Sequence, residues 1–161
     1  MTEIKAMRTP RNRKALAAFA ELLAPDSIMV EIGSHIGESA CIFAPHVKTL
    51  ICIDPWPGRD DIRTEFMKNT AHLPNVNTLR MPSVEAAALF SIRSIDVLYV
   101  DGLHDEDSVR HDLSAWEPKV FLNGILAGHD YGDHAPGVIA AVKTYFGKEP
   151  ASIFGDTSWL M

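Results

Sequence analysis

The sequence predicts an α/β domain on a mainly parallel, Rossmann-like sheet with helices on both faces, and three observations lead there. Apolar runs alternate with amphipathic helical patterns along the chain, as in strands joined by crossover helices. Ile95 to Val100 is a short apolar run of the kind a central strand shows when both of its faces are covered. Most telling is Val30-Glu31-Ile32-Gly33-Ser34-His35-Ile36-Gly37-Glu38-Ser39, where an apolar run ends in an acid, crosses a glycine-flanked turn and enters a helix-like segment. A parallel sheet grips a nucleotide-type cofactor at its carboxyl edge with such a turn. At 161 residues the chain is long enough for one domain with a sizeable core and leaves little room for a second.

The elements follow in order. Thr9-Pro10 opens a helix, with proline at the first helical position, and Leu16, Phe19 and Leu23 give its apolar face. Strands are expected at Ser27 to Ile32, Thr49 to Ile53 and Val76 to Arg80, with a helix from Ser39 to Ala44 between the first two. Arg59 to Leu73 reads as a helix plus a loop near the site. Ser83 is placed to cap a helix from Val84 to Leu89. After the Ile95 to Val100 strand, Asp105-Glu106-Asp107 sets three acids in a first helical turn, where the dipole favours them, and Val109, Leu113 and Trp116 form the buried stripe. Phe121 to Gly128 is a fifth strand with Asn123-Gly124 as a tight turn at its start. Pro136-Gly137 precedes a helix whose face is Ile139, Val142 and Phe146, and two short strands around Gly155-Asp156 close the chain as an antiparallel hairpin.

Composition narrows the function. With 47% hydrophobic and 22% charged residues this is an ordinary globular composition, and a net charge of -6 argues against non-specific binding to nucleic acid or membranes. The basic run Lys5, Arg8, Arg11, Arg13 and Lys14 reads as a solvated helix face. The first residues lack the apolar core of a signal peptide, and no stretch approaches the ~20 apolar residues of a membrane span. Cys41 and Cys52, without CxxC spacing, read as buried thiols in a reducing cytoplasm.

The chemistry of the glycine turn is more specific than its glycines. A pyrophosphate-binding turn wants three glycines and no extra negative charge at the helix start. Here His35 stands where the middle glycine should sit, and Glu31 and Glu38 flank the turn. Asp54 ends the next apolar run, 23 residues after Glu31, a spacing that suits a carboxylate accepting hydrogen bonds from ribose hydroxyls. The crevice therefore suits an adenosine-containing ligand that carries positive charge.

Ligands of open α/β sheets lie beyond the carboxyl ends of the strands, which gathers Glu31, Gly33, Asp54, Ser83, Asp101, His104, His129 and Asp130 at one edge. If the strands ending at Asp101 and Asp130 are neighbours, about 4.8 Å apart, their carboxylates can converge on one cation, with His104 or His129 alongside. Oxygen ligands with an imidazole suit magnesium, manganese or iron better than a structural zinc.

These residues resemble the class I S-adenosylmethionine-dependent methyltransferases, and among them the small-molecule O-methyltransferase-like branch that includes cephalosporin-hydroxylase-like and sugar or macrolide O-methyltransferases. The likeness runs from about Met29 to Leu160. Glu31-Ile-Gly-Ser-His-Ile-Gly37 is similar to the first motif of these enzymes and Ile53-Asp54 to the second. Asp101-Gly-Leu-His104 and Gly124-Ile-Leu-Ala-Gly-His-Asp-Tyr131 are the most specific matches. The resemblance implies a strand order 3-2-1-4-5-7-6 with an antiparallel last strand. It implies a cofactor site of Glu31, Gly33, Ser34, Gly37, Asp54, Trp56, Ser83, Val84 and Asp101, in which Gly33 and Gly37 line the methionine part, Asp54 holds the ribose, Val84 lies near adenine, and Trp56 either stacks on the base or anchors its loop. It also implies a magnesium or manganese site at Asp101, His129 and Asp130, with the departure that His129 stands where an acid is usual.

The function expected is transfer of a methyl group from S-adenosylmethionine to a hydroxyl of a small-molecule acceptor, with His104 or His129 as the base. The short chain leaves the acceptor site open or completed by a second copy in a homo-oligomer. A metal-dependent oxygenase on the same fold, a non-catalytic cofactor-binding module and an RNA-modifying enzyme are the alternatives.

Overall fold

The computed structural model describes residues 8–161. Helix α1 (Pro10–Ala20) starts where the sequence places it, and the Thr9 hydroxyl accepts the Asn12 N–H at 3.2 Å. Then follow β1 (Ile28–Ile32), α2 (Glu38–Phe43), β2 (Thr49–Ile53), α3 (Asp60–Thr70), β3 (Val76–Leu79) and the short α4 (Ser83–Ala86). The second half contains β4 (Ile95–Val100), α5 (Glu106–Trp116), β5 (Val120–Gly128), α6 (Pro136–Phe146), β6 (Ser152–Ile153) and β7 (Trp159–Leu160). The seven strands lie in the order β3-β2-β1-β4-β5-β7-β6, with β7 antiparallel to its neighbours, as the sequence resemblance implies.

Alternation along the central strands sorts the core into two layers. Val30, Ile32, Leu98 and Val100 face α5 and α6, where Val109, Leu113, Trp116, Val138 and Val142 meet them. Met29, Leu50, Val97 and Tyr99 face the other way, onto Leu16 and Phe19 of α1, Phe43 of α2 and Phe66 of α3. Burial on both faces is why β4 reads as an apolar run with no polar side. Since crossover connections return each strand in the same direction, β1, β2, β4 and β5 all end at one edge, which carries Gly33, Asp54, Asp101 and His129.

Several local expectations are corrected. Ser83 is the first residue of α4 and Pro82 its N-cap; the Ser83 hydroxyl donates to Asp112 of α5 instead of capping. Asn123-Gly124 makes no turn ahead of the strand. It lies inside β5, where Ile95 pairs with Val120 but Val97 with Ile125, so β5 bulges against β4. A Cβ on Gly124 would sit 2.6 Å from the Asp96 carbonyl, a backbone approach that only glycine permits. Helix α6 buries Val138, Ala141 and Val142, leaving Ile139 and Phe146 at the margin. Gly137, in the first turn of α6, lies against the His104–Glu106 backbone. Cys52 is buried as expected, whereas Cys41 is only partly so. Among the described residues no helix is long and apolar enough to cross a membrane.

Candidate active site

The turn after β1 and the loop after β2 are built as one unit. Gly33 has φ +84° and lies so close to β4 that a Cβ would come 2.0 Å from the Asp101 carbonyl oxygen, so both its conformation and its packing demand glycine. Gly37, at φ +79°, rests on Phe66 of α3. Between them His35 takes φ +44°, the left-handed geometry a glycine would ordinarily supply. Asp54 holds it there. One carboxylate oxygen accepts the His35 N–H at 3.0 Å, the other the Trp56 N–H at 2.8 Å, and the Trp56 indole donates to the His35 carbonyl at 2.9 Å.

Two cavities open above this unit. The larger, ≈ 470 Å³, runs from Asp54 past Pro57, Pro82, Ser83 and Val84 to His111 and Asp112, with Ile32, Ile53 and Leu103 as apolar walls. The smaller, ≈ 360 Å³, lies between Arg8, Ser34, Glu38 and Ser39 on one side and His104, His129 and Asp130 on the other. Gly33, His35, Asp101 and Gly102 line both, so the two are the arms of one crevice.

Of the cofactor residues expected from sequence, Gly33, Asp54, Ser83, Val84 and Asp101 line the larger arm, and Ser34 the smaller. Three do not reach it. Glu31 is fully buried beneath the turn, where it accepts the Ser39 hydroxyl and, at 3.4 Å, the Cys52 thiol; burial pushes its carboxyl pKa up. Gly37 points its open side at α3. Trp56 is 2% exposed and packs on Phe66 with ring centroids 5.2 Å apart, which makes it the anchor of its loop rather than a stacking platform.

The polar end of the crevice is a network of opposite charges. Asp130, at φ +62°, turns its carboxylate toward three histidines: His104 Nε2 at 2.9 Å, His134 Nε2 at 2.8 Å and His129 Nδ1 at 3.1 Å. His129 also faces Asp101 at 3.7 Å and, through Nε2, the buried Asp156 at 3.6 Å. Burial works against charge on His129, but Asp130, Asp156 and Asp101 overcome it and the imidazolium pKa is pushed up to about 9. Asp130 moves the other way: burial would raise it, and the hydrogen bonds from His129 and His134 hold it well below the usual carboxylate range.

Among the described residues, the trio whose ligand atoms lie within 4.8 Å of one another is Asp101, His104 and Asp130. The expected set of Asp101, His129 and Asp130 differs from it in one residue: His104 brings its Nε2 to Asp130, while His129 sits among Asp101, Asp130 and Asp156, which favour its protonated form. The sequence reading also missed Arg8, His35, His111 and Asp112 as lining residues. The basic run it treated as solvated divides. Arg11 and Lys14 are exposed, Lys5 lies outside the described residues, and Arg8 and Arg13 turn inward to Asp101 at 2.8 Å and Glu38 at 2.6 Å.

The comparisons agree with this architecture. A family model described as "Methyltransferase domain" matches residues 30–131. An uncharacterized protein of Acanthamoeba polyphaga mimivirus is 30% identical over 130 residues, 73% of this chain and 58% of its own length. A second relative, from Sinorhizobium fredii, is 28% identical over 116 residues, 63% of this chain and 13% of its own length. This chain therefore spans less than two thirds of either relative. Solved structures of the same fold include a precorrin 8w decarboxylase from Methanobacterium thermoautotrophicum (TM-score 0.72, 15% identity, 100% of this chain and 89% of that one). Others are the N-methyltransferase NodS of Bradyrhizobium japonicum (TM-score 0.67, 16%, 92% and 90%) and a TDP-rhamnose 3'-O-methyltransferase of calicheamicin biosynthesis (TM-score 0.60, 15%, 84% and 68%). With the family match covering most of the sheet and its glycine turn, the chain belongs to the methyltransferase-domain family and has the fold of the class I S-adenosylmethionine-dependent enzymes.

Proposed function

We propose that the chain binds S-adenosylmethionine in the two-armed crevice and transfers its methyl group to a hydroxyl of a small polar acceptor, with His104 as the base. The observation that carries this reading is the continuity of the two arms across Gly33, His35, Asp101 and Gly102. One extended ligand spans from Asp54 to the histidines. The larger arm fits an adenosine: apolar walls for the ring, and at one end a carboxylate whose oxygens each keep a lone pair after taking a backbone N–H. The smaller arm sets the carboxylates of Glu38, Asp101 and Asp130 against the cations of Arg8 and His129, an excess of one negative charge that suits a sulfonium.

Methyl transfer is an in-line displacement. The acceptor oxygen forms its bond to the methyl carbon as the carbon–sulfur bond breaks, the sulfonium leaves as a neutral thioether, and the hydroxyl proton must go to a base. His104 is the better placed of the two expected histidines. Its side chain is half exposed and lines the smaller arm, and its Nε2 meets the Asp130 carboxylate at 2.9 Å. A ring N–H at Nε2 would face that carboxylate and leave the Nδ1 lone pair for the acceptor's proton. Asp130, 2.9 Å away, would then steady the imidazolium that forms. His129 is held toward its protonated form by Asp130, Asp156 and Asp101, which suits it less to accept a proton.

The donors do not fit a divalent ion as they stand. An Arg8 nitrogen lies on Asp101 Oδ2, and the Asp130 carboxylate already faces three histidines. Calorimetric titration of S-adenosylhomocysteine into the protein tests the cofactor: micromolar binding supports the reading, and no binding refutes it.

A further inference from the structure

Arg8 reaches across the crevice from the segment ahead of α1, and its Nη2 lies 2.8 Å from Asp101 Oδ2, 93 residues away in sequence. The reach is braced. The Arg8 backbone N–H donates to Glu38 Oε2 at 3.0 Å, and Arg13 Nε donates to Glu38 Oε1 at 2.6 Å. Glu38 is nearly buried and opens α2, so the arm before α1 is pinned to the helix that follows the glycine turn. The Arg8 side chain is 18% exposed, and its Nε is buried with no hydrogen-bond partner among the described residues. Among the described residues it is the ion pair with Asp101 that seats the guanidinium there.

Asp101, directly after β4, is also a member of the Asp101–His104–Asp130 trio where a divalent ion would bind, and with Asp130 it supplies the trio's two carboxylates. A guanidinium at 2.8 Å and an ion at about 2.1 Å cannot share that oxygen without a clash of like charges. We propose that Arg8 replaces the divalent ion at this centre, a positioning residue that holds the Asp101 carboxylate in place, so that methyl transfer here runs without a metal. This rests on the methyltransferase reading of the crevice, but its test does not. The same contact explains why His104 can serve as a base: with no ion drawing on its ring, its free nitrogen stays open to the acceptor.

The test is titration of Mn²⁺ alone, followed by its electron paramagnetic resonance signal, into the wild-type chain and into Arg8→Met and Arg8→Lys. The wild type and Arg8→Lys should take up no stoichiometric Mn²⁺. Arg8→Met, similar in bulk but uncharged, should bind one ion per chain at least about tenfold more tightly than the wild type. Binding of S-adenosylhomocysteine, measured in parallel, shows that each variant is folded. Micromolar uptake of one Mn²⁺ by the wild type overturns the proposal. So does an Arg8→Met variant that binds S-adenosylhomocysteine yet gains no Mn²⁺. If Arg8→Met does not fold, the wild type and Arg8→Lys decide, since a metal centre would fill in the first and more readily in the second. A wild type that binds neither S-adenosylhomocysteine nor Mn²⁺ sinks the methyltransferase reading and leaves the exclusion of the ion standing.

Discussion

Removing the charge of His129 should make stability depend on pH in a way that can be worked out from the structure. Its imidazolium has a pKa of about 9 in the folded chain, against about 6.5 for an unperturbed histidine, because Asp130, Asp156 and Asp101 surround it at 3.1 to 3.7 Å. The folded value is the higher one. The stabilisation is therefore complete below about pH 6.5, declines as pH rises, and is gone once pH passes the folded value. A gap of between two and three pH units at 1.36 kcal/mol each amounts to about 3 kcal/mol. With the side chain only 12% exposed, solvent screening removes little of it. The depressed pKa of Asp130 reports the same interaction from its other partner and is not added. In urea titrations the unfolding free energy of the wild type should fall by about 2 to 3 kcal/mol between pH 6.5 and 9.5. In His129→Gln the fall should be smaller by most of that amount, so that the two proteins converge at alkaline pH. Parallel curves across the range would show that His129 is neutral in the folded chain and that the charge network has been misread.

Other perturbations separate the parts of the site. His104→Ala should cut methyl transfer by about 10² to 10⁴, measured as release of S-adenosylhomocysteine with a methylated acceptor, while leaving cofactor affinity unchanged. Asp54→Ala should weaken S-adenosylhomocysteine binding by about 1–3 kcal/mol in a calorimeter, through the lost acceptor and the loosened turn. Trp56→Phe should lower stability by about 1 kcal/mol for the lost bond to the His35 carbonyl, yet leave cofactor affinity nearly intact; a loss of affinity of tenfold or more would restore a stacking role. Gly33→Ala should be the most damaging, by about 3 kcal/mol or more on thermal unfolding, because the new methyl meets the backbone of Asp101 in a conformation that alanine disfavours.

What could be read from sequence was what neighbouring residues decide together. Met29, Val30 and Ile32 announce a strand, and Gly33 through Gly37 announce a turn, because period and conformational freedom are local properties. Asp54 and Asp101 could be placed at one edge because strand direction follows from crossover connections. Ser83 could not be resolved, as its hydroxyl had a choice between its own helix and Asp112, 29 residues on, and only packing settles that choice. Glu31 carried the right motif and the wrong role, since the sequence does not say whether a carboxylate at a strand end faces the crevice or the floor beneath it. Arg8 left no signal at all: a basic residue before a helix is ordinarily solvated, and its partner lies 93 positions away. His104 and His129 were equivalent on paper and are distinguished by the number of carboxylates around each.

The double use of Asp54 has a thermodynamic consequence. Its carboxylate is immobilised by two backbone donors before any ligand arrives, and the turn bearing His35 is frozen with it. The entropy of ordering that loop is spent during folding, so binding need not spend it again. The heat of cofactor association should therefore be offset by little loss of chain freedom, and amides of residues 33–37 should exchange their hydrogens almost as slowly in the empty protein as in the complex.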